Sequence, residues 1–121
     1  MQRMIVSILL GVTILKPAPA DAELPPASAA AILGAWSCVK GPCFDPEIEF
    51  AVEEDRQIFR SWLHHRPSAI CEWSLRGRSL SLTCGSGLIF TYEVVKATRR
   101  TLILREEERS PARYRRIKEG S

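Results

Sequence analysis

Residues 71–84 carry the clearest pattern of apolar and polar positions in the chain. On either side of Gly77-Arg78 the two kinds of residue alternate, so a turn at this dipeptide pairs like with like. One face of the resulting hairpin carries Cys71, Trp73, Leu75, Leu80, Leu82 and Cys84, and the other carries Glu72, Ser74, Arg76, Ser79, Ser81 and Thr83. A period of two indicates strands with one buried face, and glycine at the first turn position suits a type II′ turn. The pattern predicts an antiparallel hairpin in which Cys71 faces Cys84.

Other short segments of the chain favour strands as well. They are residues 31–38, 48–52, 57–64, 88–95, 101–105 and 112–117. Segment 57–64 is ambiguous, because a helix would place Ile58, Phe59, Trp62 and Leu63 on one face. We favour a strand there, since its neighbours are strands joined by short turns. About eight short strands with this spacing predict an all-β fold. We expect an antiparallel up-and-down meander that forms a small barrel or a curved sandwich over residues 31–121.

Two disulfides are expected to staple this fold. Cys71 and Cys84 fall on a non-hydrogen-bonded pair of the hairpin, where side chains lie closest and a bridge is geometrically allowed. Cys38–Cys43 follows by elimination, and Gly41-Pro42 supplies the turn between them. No zinc-type cysteine spacing is present, so no metal site is expected.

The first residues of the chain indicate export. Residues 1–20 contain Arg3, an apolar stretch at 5–15 that is too short to span a bilayer, and a small-x-small motif at 18–20. These are features of a signal peptide, and they predict a periplasmic or secreted protein without stable membrane insertion after cleavage. Cleavage there leaves 15 basic and 14 acidic residues, which makes no case for nucleic acid. Residues 21–30, rich in Ala and Pro, are predicted to form an extended arm.

Two features of the chain resemble known β-barrel families. Gly34-Ala35-Trp36 at the start of the first strand, with Arg115 and Arg116 in the last, resembles the calycin (lipocalin-like) pattern. That resemblance implies closure of the first strand on the last, with an arginine packed over the tryptophan for about 1 kcal/mol; either arginine could serve. The segment 24–36 resembles the start of small periplasmic inhibitors of bacterial metalloproteases, which are eight-stranded barrels whose N-terminal arm enters the protease cleft. This resemblance implies a partner-binding arm, and its candidate contact residues are Leu24, Pro25 and Ser28.

Catalytic chemistry is not indicated. His64 and His65 are adjacent, so on a strand they point to opposite faces and are read as solvated turn residues. No serine lies in a G-x-S-x-G elbow, and no cofactor is expected. Arg113, Arg115 and Arg116 could form an anion-binding patch, but alternating exposed strand charges are the favoured interpretation. We therefore expect no enzyme.

These observations favour an exported non-catalytic binding protein, such as an inhibitor of an exported hydrolase. The alternative is a lipocalin-like carrier of a small apolar ligand, which would need a cavity inside the barrel. Bulky residues at the inward positions predict a largely filled interior, which favours the inhibitor hypothesis over the carrier. These residues are Phe50, Trp73, Leu75, Leu80, Leu82, Phe90 and Tyr92.

Overall fold

The computed structural model describes residues 28–120. It contains one short helix and eight strands: α1 (Ala29–Ile32), β1 (Gly34–Lys40), β2 (Glu47–Glu53), β3 (Arg56–Leu63), β4 (Arg66–Arg76), β5 (Ser79–Cys84), β6 (Leu88–Ala97), β7 (Thr101–Arg105) and β8 (Ala112–Glu119). The predicted signal peptide and most of the predicted arm, with Leu24 and Pro25, lie outside the described residues.

The eight strands form one closed antiparallel barrel. Each strand pairs with the next in sequence, and β1 also pairs with β8, so the meander returns to its start. The prediction of an all-β up-and-down fold is confirmed, and the barrel replaces the alternative of a curved sandwich. In the β4–β5 hairpin the register is the predicted one, from Cys71 opposite Cys84 to Arg76 opposite Ser79. Gly77 has a φ of 61°, as a glycine at the first turn position of a type II′ hairpin requires.

Segment 57–64 is a strand, so its helical interpretation is wrong. Residues 57–63 belong to β3, which pairs with β2 on one side and β4 on the other, and His64 begins the following turn. The ambiguity arose from Ile58 and Phe59, two adjacent apolar residues that are 9% and 1% exposed. Burial of both breaks the alternation that otherwise marks a half-buried strand.

The first described residues are helical rather than extended. Ala29 and Ala30, expected in the extended arm, belong to α1, and Ser28 is its N-cap with φ −96° and ψ 154°. The Ser28 hydroxyl accepts a hydrogen bond from the backbone N–H of Ala31 at 3.3 Å. A serine cap followed by alanines is a favourable start for a helix, and this local preference forms a turn too short for periodicity to reveal.

The interior of the barrel is filled by large side chains. The fully buried ones include Trp36, Phe50, Phe59, Leu80, Leu82, Leu102 and Tyr114. Aromatic rings meet there near edge-on, with Phe50 and Trp73 centroids 5.8 Å apart, a favoured geometry for such pairs. Of the positions predicted to point inward, Leu75, Phe90 and Tyr92 are partly buried and pack against this core.

Both predicted disulfides are present. Cys71 and Cys84 bridge adjacent strands with Cα atoms 4.3 Å apart, and Cys38 and Cys43 close the β1–β2 loop with Cα atoms 6.1 Å apart. Two such bridges indicate an oxidising compartment outside the cytoplasm. Among residues 28–120, no helix has the length and apolar character needed to cross a bilayer.

Candidate functional site

The arm root, residues 28–34, packs into the end of the barrel where β1 begins. Within it, Ile32 is fully buried and belongs to the barrel core. The indole Nε1–H of Trp36 donates a hydrogen bond to the Ile32 carbonyl at 2.9 Å. Because this bond is buried, the position of the helix is tied to the first strand by both apolar packing and a polar contact.

Arg116 on β8 holds the arm root from the other side. Its guanidinium carbon lies 4.2 Å from the centroid of the Trp36 ring. One terminal nitrogen donates to the Leu33 carbonyl at 2.5 Å, the other donates to the Ala31 carbonyl at 3.0 Å, and Nε donates to the Arg99 carbonyl. The side chain is only 9% exposed. A single planar cation therefore joins the helix, the first strand, the last strand and the β6–β7 turn.

Of the two arginines that the sequence left open, Arg116 is the one over Trp36. Arg115 is exposed and lies opposite Ser37 and Thr101 on the outer face. The alternation of inward and outward residues along β8 distinguishes the two arginines, because residue 116 lies on the same face of the strand as the buried Tyr114.

Gly34 allows the close approach of the first and last strands. Its φ is 122°, and a Cβ atom there would lie 2.3 Å from the carbonyl oxygen of Lys118. Only glycine fits both the backbone angle and the space. Gly34, Trp36 and Arg116 thus form one unit that closes the barrel and fixes the arm root.

A small cavity of about 120 Å³ lies beside the arm root, between β1, β2 and the end of β8. Leu33 and Gly34 line one side, and Glu49, Glu53 and Lys118 contribute charged groups. The arm root, residues 28–34, therefore lies next to a small, mostly polar cavity.

The opposite end of the barrel is covered by the β1–β2 loop, residues 41–46. The backbone N–H of Phe44 donates to the Tyr114 hydroxyl at 2.8 Å, and the Phe44 ring packs edge-on against Phe59 with centroids 5.1 Å apart. Burial raises the pKa of Tyr114. Ser61, which is 1% exposed, donates to a carboxylate oxygen of Asp45 at 2.6 Å. No role is predictable for Phe44 or Asp45 from the sequence, in which the short segment between two cysteines is the only signal for a loop that covers the barrel end.

The histidines do not converge on a site. His64 and His65 occupy the β3–β4 turn with φ values of 54° and 66°, and both are exposed. They line the rim of an outer cavity of about 240 Å³ together with Glu47 and Trp62. Trp36 and Trp73, in contrast, are buried in the core. Within residues 28–120, no three side chains from His, Cys, Asp and Glu come together to hold a metal ion.

Comparison of the chain with protein-family models, with curated proteins and with solved structures finds no match. The architecture itself, a closed barrel of eight antiparallel strands, is consistent with a calycin-like small barrel.

Proposed function

We propose that the protein is an exported, non-catalytic inhibitor of a hydrolase, and that it acts through the N-terminal arm. The observation that supports this most directly is that Arg116 and Trp36 hold the arm root, residues 28–34, against the barrel end. A segment that leaves a rigid body at a fixed point and direction loses less freedom when it enters a partner's cleft than one that hangs from a mobile loop. Arg116, Trp36 and Ile32 supply that rigidity.

The resemblance of segment 24–36 to periplasmic metalloprotease inhibitors suggests that the partner is an exported metalloprotease. In those inhibitors the arm enters the protease cleft, and the equivalent contacts here fall to Leu24, Pro25 and Ser28. Ser28 has a structural role besides, because its hydroxyl caps α1. We therefore assign the partner contacts chiefly to the residues before it.

The experiment is an inhibition titration. Secreted metalloprotease from the producing organism is titrated with the mature chain, beginning at Asp21, and with a chain beginning at Ser28, using a peptide substrate. We expect saturable inhibition by the mature chain and at least a tenfold weaker effect of the shortened one, since the arm makes the contacts in the cleft. The variant His64→Ala/His65→Ala, altered at the far end of the barrel, is the matched control and should inhibit like the parent.

Two outcomes oppose the proposal in different ways. If neither chain inhibits the secreted metalloprotease, the proposed inhibitor function towards that class of hydrolase is wrong. If both chains inhibit equally, inhibition stands but the arm is not the element that carries it.

The carrier alternative has less support. A carrier needs room inside the barrel, whereas Phe44, Phe50, Phe59 and Trp73 contact one another across the interior with centroids 5.1 to 5.8 Å apart. Stoichiometric binding of an apolar fluorophore, competed by a fatty acid and abolished by a bulky substitution at Leu82, would favour the carrier instead.

A further inference from the structure

One face of the barrel collects exposed basic side chains. The register sets Lys96 on β6 opposite Ile103, Ile103 opposite Arg113, and Arg113 opposite Lys40 on β1. These four residues form one outward row across four strands, about 14 Å wide at about 4.8 Å per strand. Arg115, the next outward residue of β8, extends the row along the strand. With Arg100 in the β6–β7 turn and Lys118 further along β8, these residues make up what we call the basic face: Lys40, Lys96, Arg100, Arg113, Arg115 and Lys118.

The charges of the basic face are not neutralised within the described part of the chain. The ion pairs found there join Arg56 to Glu72, Arg60 to Glu49 and Glu53, Arg105 to Glu93, Arg109 to Glu106, and Arg116 to Glu119. None includes a residue of the basic face. Carboxylates of β2 border this face: Glu47 lies opposite Ser37 on β1, and Glu49 and Glu53 share a cavity with Lys118 at its edge.

This arrangement is a segregation of charge and not an excess of it. The chain after its predicted leader has nearly equal numbers of basic and acidic residues. On β2, by contrast, Glu47, Glu49 and Glu53 occupy three of the four positions on one side of the strand. A separated distribution creates a strong local field of one sign even when the net charge is small.

Two exposed aliphatic side chains lie within the basic face. Val39 is 53% exposed and Ile117 is 51% exposed. Each sits at an irregularity in the β1–β8 pairing, between Cys38 and Lys40 in one case and beside Lys118 in the other. A bulge turns a side chain out of the regular pleat, and here it exposes an apolar group among cations.

We propose that the basic face docks the protein on a membrane surface rich in anionic phospholipid headgroups. Long basic side chains spread over a convex face suit an extended layer of phosphates, and they do not require one shaped pocket. The aliphatic groups of Val39 and Ile117 suit the boundary between headgroups and acyl chains. Docking of this kind is peripheral and reversible, it inserts no segment across the bilayer, and it does not depend on the inhibitor function proposed above.

The test is co-sedimentation of the mature chain with vesicles. One set is phosphatidylcholine alone, and the other contains about one-third phosphatidylglycerol, each at about 0.05 M and about 0.5 M salt. We expect binding only to the anionic vesicles and its loss at high salt. Arg113→Gln/Arg115→Gln should weaken binding about 30-fold, since each basic residue near the surface contributes about fivefold. Ile117→Ser should weaken it by only about threefold to tenfold.

The matched control is Arg66→Gln/Arg76→Gln. It removes the same charge from two exposed arginines of β4 that form none of the ion pairs above, so binding should stay within about twofold of the parent. A second pair on the basic face, Lys40→Gln/Lys96→Gln, serves if the first is poorly folded by circular dichroism.

Three results overturn the proposal. Absence of binding to the anionic vesicles does so directly. Equal losses in the basic-face and control variants show that only net charge matters. Retention on a sulfated polysaccharide without vesicle binding shows a soluble polyanion, and not a lipid surface, as the partner. None of these outcomes bears on protease inhibition, which the titration measures separately.

Discussion

Replacing Arg116 by methionine tests whether one side chain closes the barrel and fixes the arm root. Methionine keeps much of the aliphatic length of arginine and removes the guanidinium. The change deletes three hydrogen bonds, to the carbonyls of Ala31, Leu33 and Arg99, and the stacking of the cation on Trp36. Because residue 116 packs in the barrel end with 9% exposure, water reaches the freed carbonyls only if the end loosens.

The size of the effect follows from these contacts. A hydrogen bond from a charged donor contributes about 1.5–3 kcal/mol, and a partly desolvated cation–π contact about 1–2 kcal/mol. The contacts share one side chain and are not additive, and methionine recovers part of the apolar packing. We expect the free energy of unfolding to fall by about 3–4 kcal/mol, near the top of the range for single substitutions. Arg116→Lys keeps the charge but not the planar guanidinium, so its stability should lie between those of the parent and Arg116→Met.

The assay is urea unfolding followed by tryptophan fluorescence with the disulfides intact. Arg115→Met is the matched control, because the same substitution on the exposed neighbour should change stability by less than about 0.5 kcal/mol. Hydrogen exchange of the Trp36 indole N–H, which is bonded to the Ile32 carbonyl, supplies a local readout and should speed up in Arg116→Met. A cost below about 1 kcal/mol, or one equal to that of Arg115→Met, would refute the assignment of barrel closure to Arg116.

Three further predictions concern the disulfides, alkaline pH and the glycines. Replacing Cys71 and Cys84 by alanine should lower the free energy of unfolding by about 3 kcal/mol from loop entropy, because that bridge spans 13 residues. Removal of the Cys38–Cys43 bridge, which spans 5 residues, should lower it by less. Equal losses in urea unfolding would contradict this. Burial raises the pKa of Tyr114, so the unfolded chain loses this proton first and stability falls as the pH rises above about 10, by about 1.4 kcal/mol per pH unit. Urea midpoints between about pH 8 and 11.5 should show a smaller decline for Tyr114→Phe, whereas parallel curves would show that the hydroxyl is not protected. Gly34→Ala should lower the free energy of unfolding by more than about 3 kcal/mol, because its Cβ would lie 2.3 Å from a carbonyl oxygen of β8. Gly77→Ala, with φ 61° and no atom within 4 Å of the new Cβ, should lower it by only about 1–2 kcal/mol. Similar melting temperatures for the two variants would argue against the close approach at Gly34.

The sequence was most informative where one local rule fixed many contacts at once. In the β4–β5 hairpin, a glycine at the turn and strict alternation together set the register, and the register set the Cys71–Cys84 bridge. The second bridge, Cys38–Cys43, then followed by elimination. A small barrel or a curved sandwich could be expected on this basis, because short strands joined in sequence have few other ways to bury their apolar faces, and the pairing of β1 with β8 decides for the barrel.

The sequence was less informative where two patterns overlapped or where an element was too short. Ile58 and Phe59 fit a helix as well as a strand, and pairing with β2 and β4 decides between them. Helix α1 has four residues, fewer than any periodic pattern needs. The row from Lys96 to Lys40 joins residues of four strands, so it exists only once the registers are known, including the shifts at Val94/Lys96 and Cys38/Lys40.

Closure of the barrel by β1 and β8 has a consequence for the order in which the chain folds. Gly34 pairs with Glu119 at the other end of the domain, so this seam cannot form until nearly the whole chain has emerged, and contacts between distant residues form slowly. The two disulfides close loops of only 5 and 13 residues, and each needs only a nearby turn. In a chain that emerges N-terminus first, each cysteine meets its correct partner before the next pair arrives. The sequence order of the cysteines thus guards against wrong pairing during the interval before Arg116 reaches Trp36.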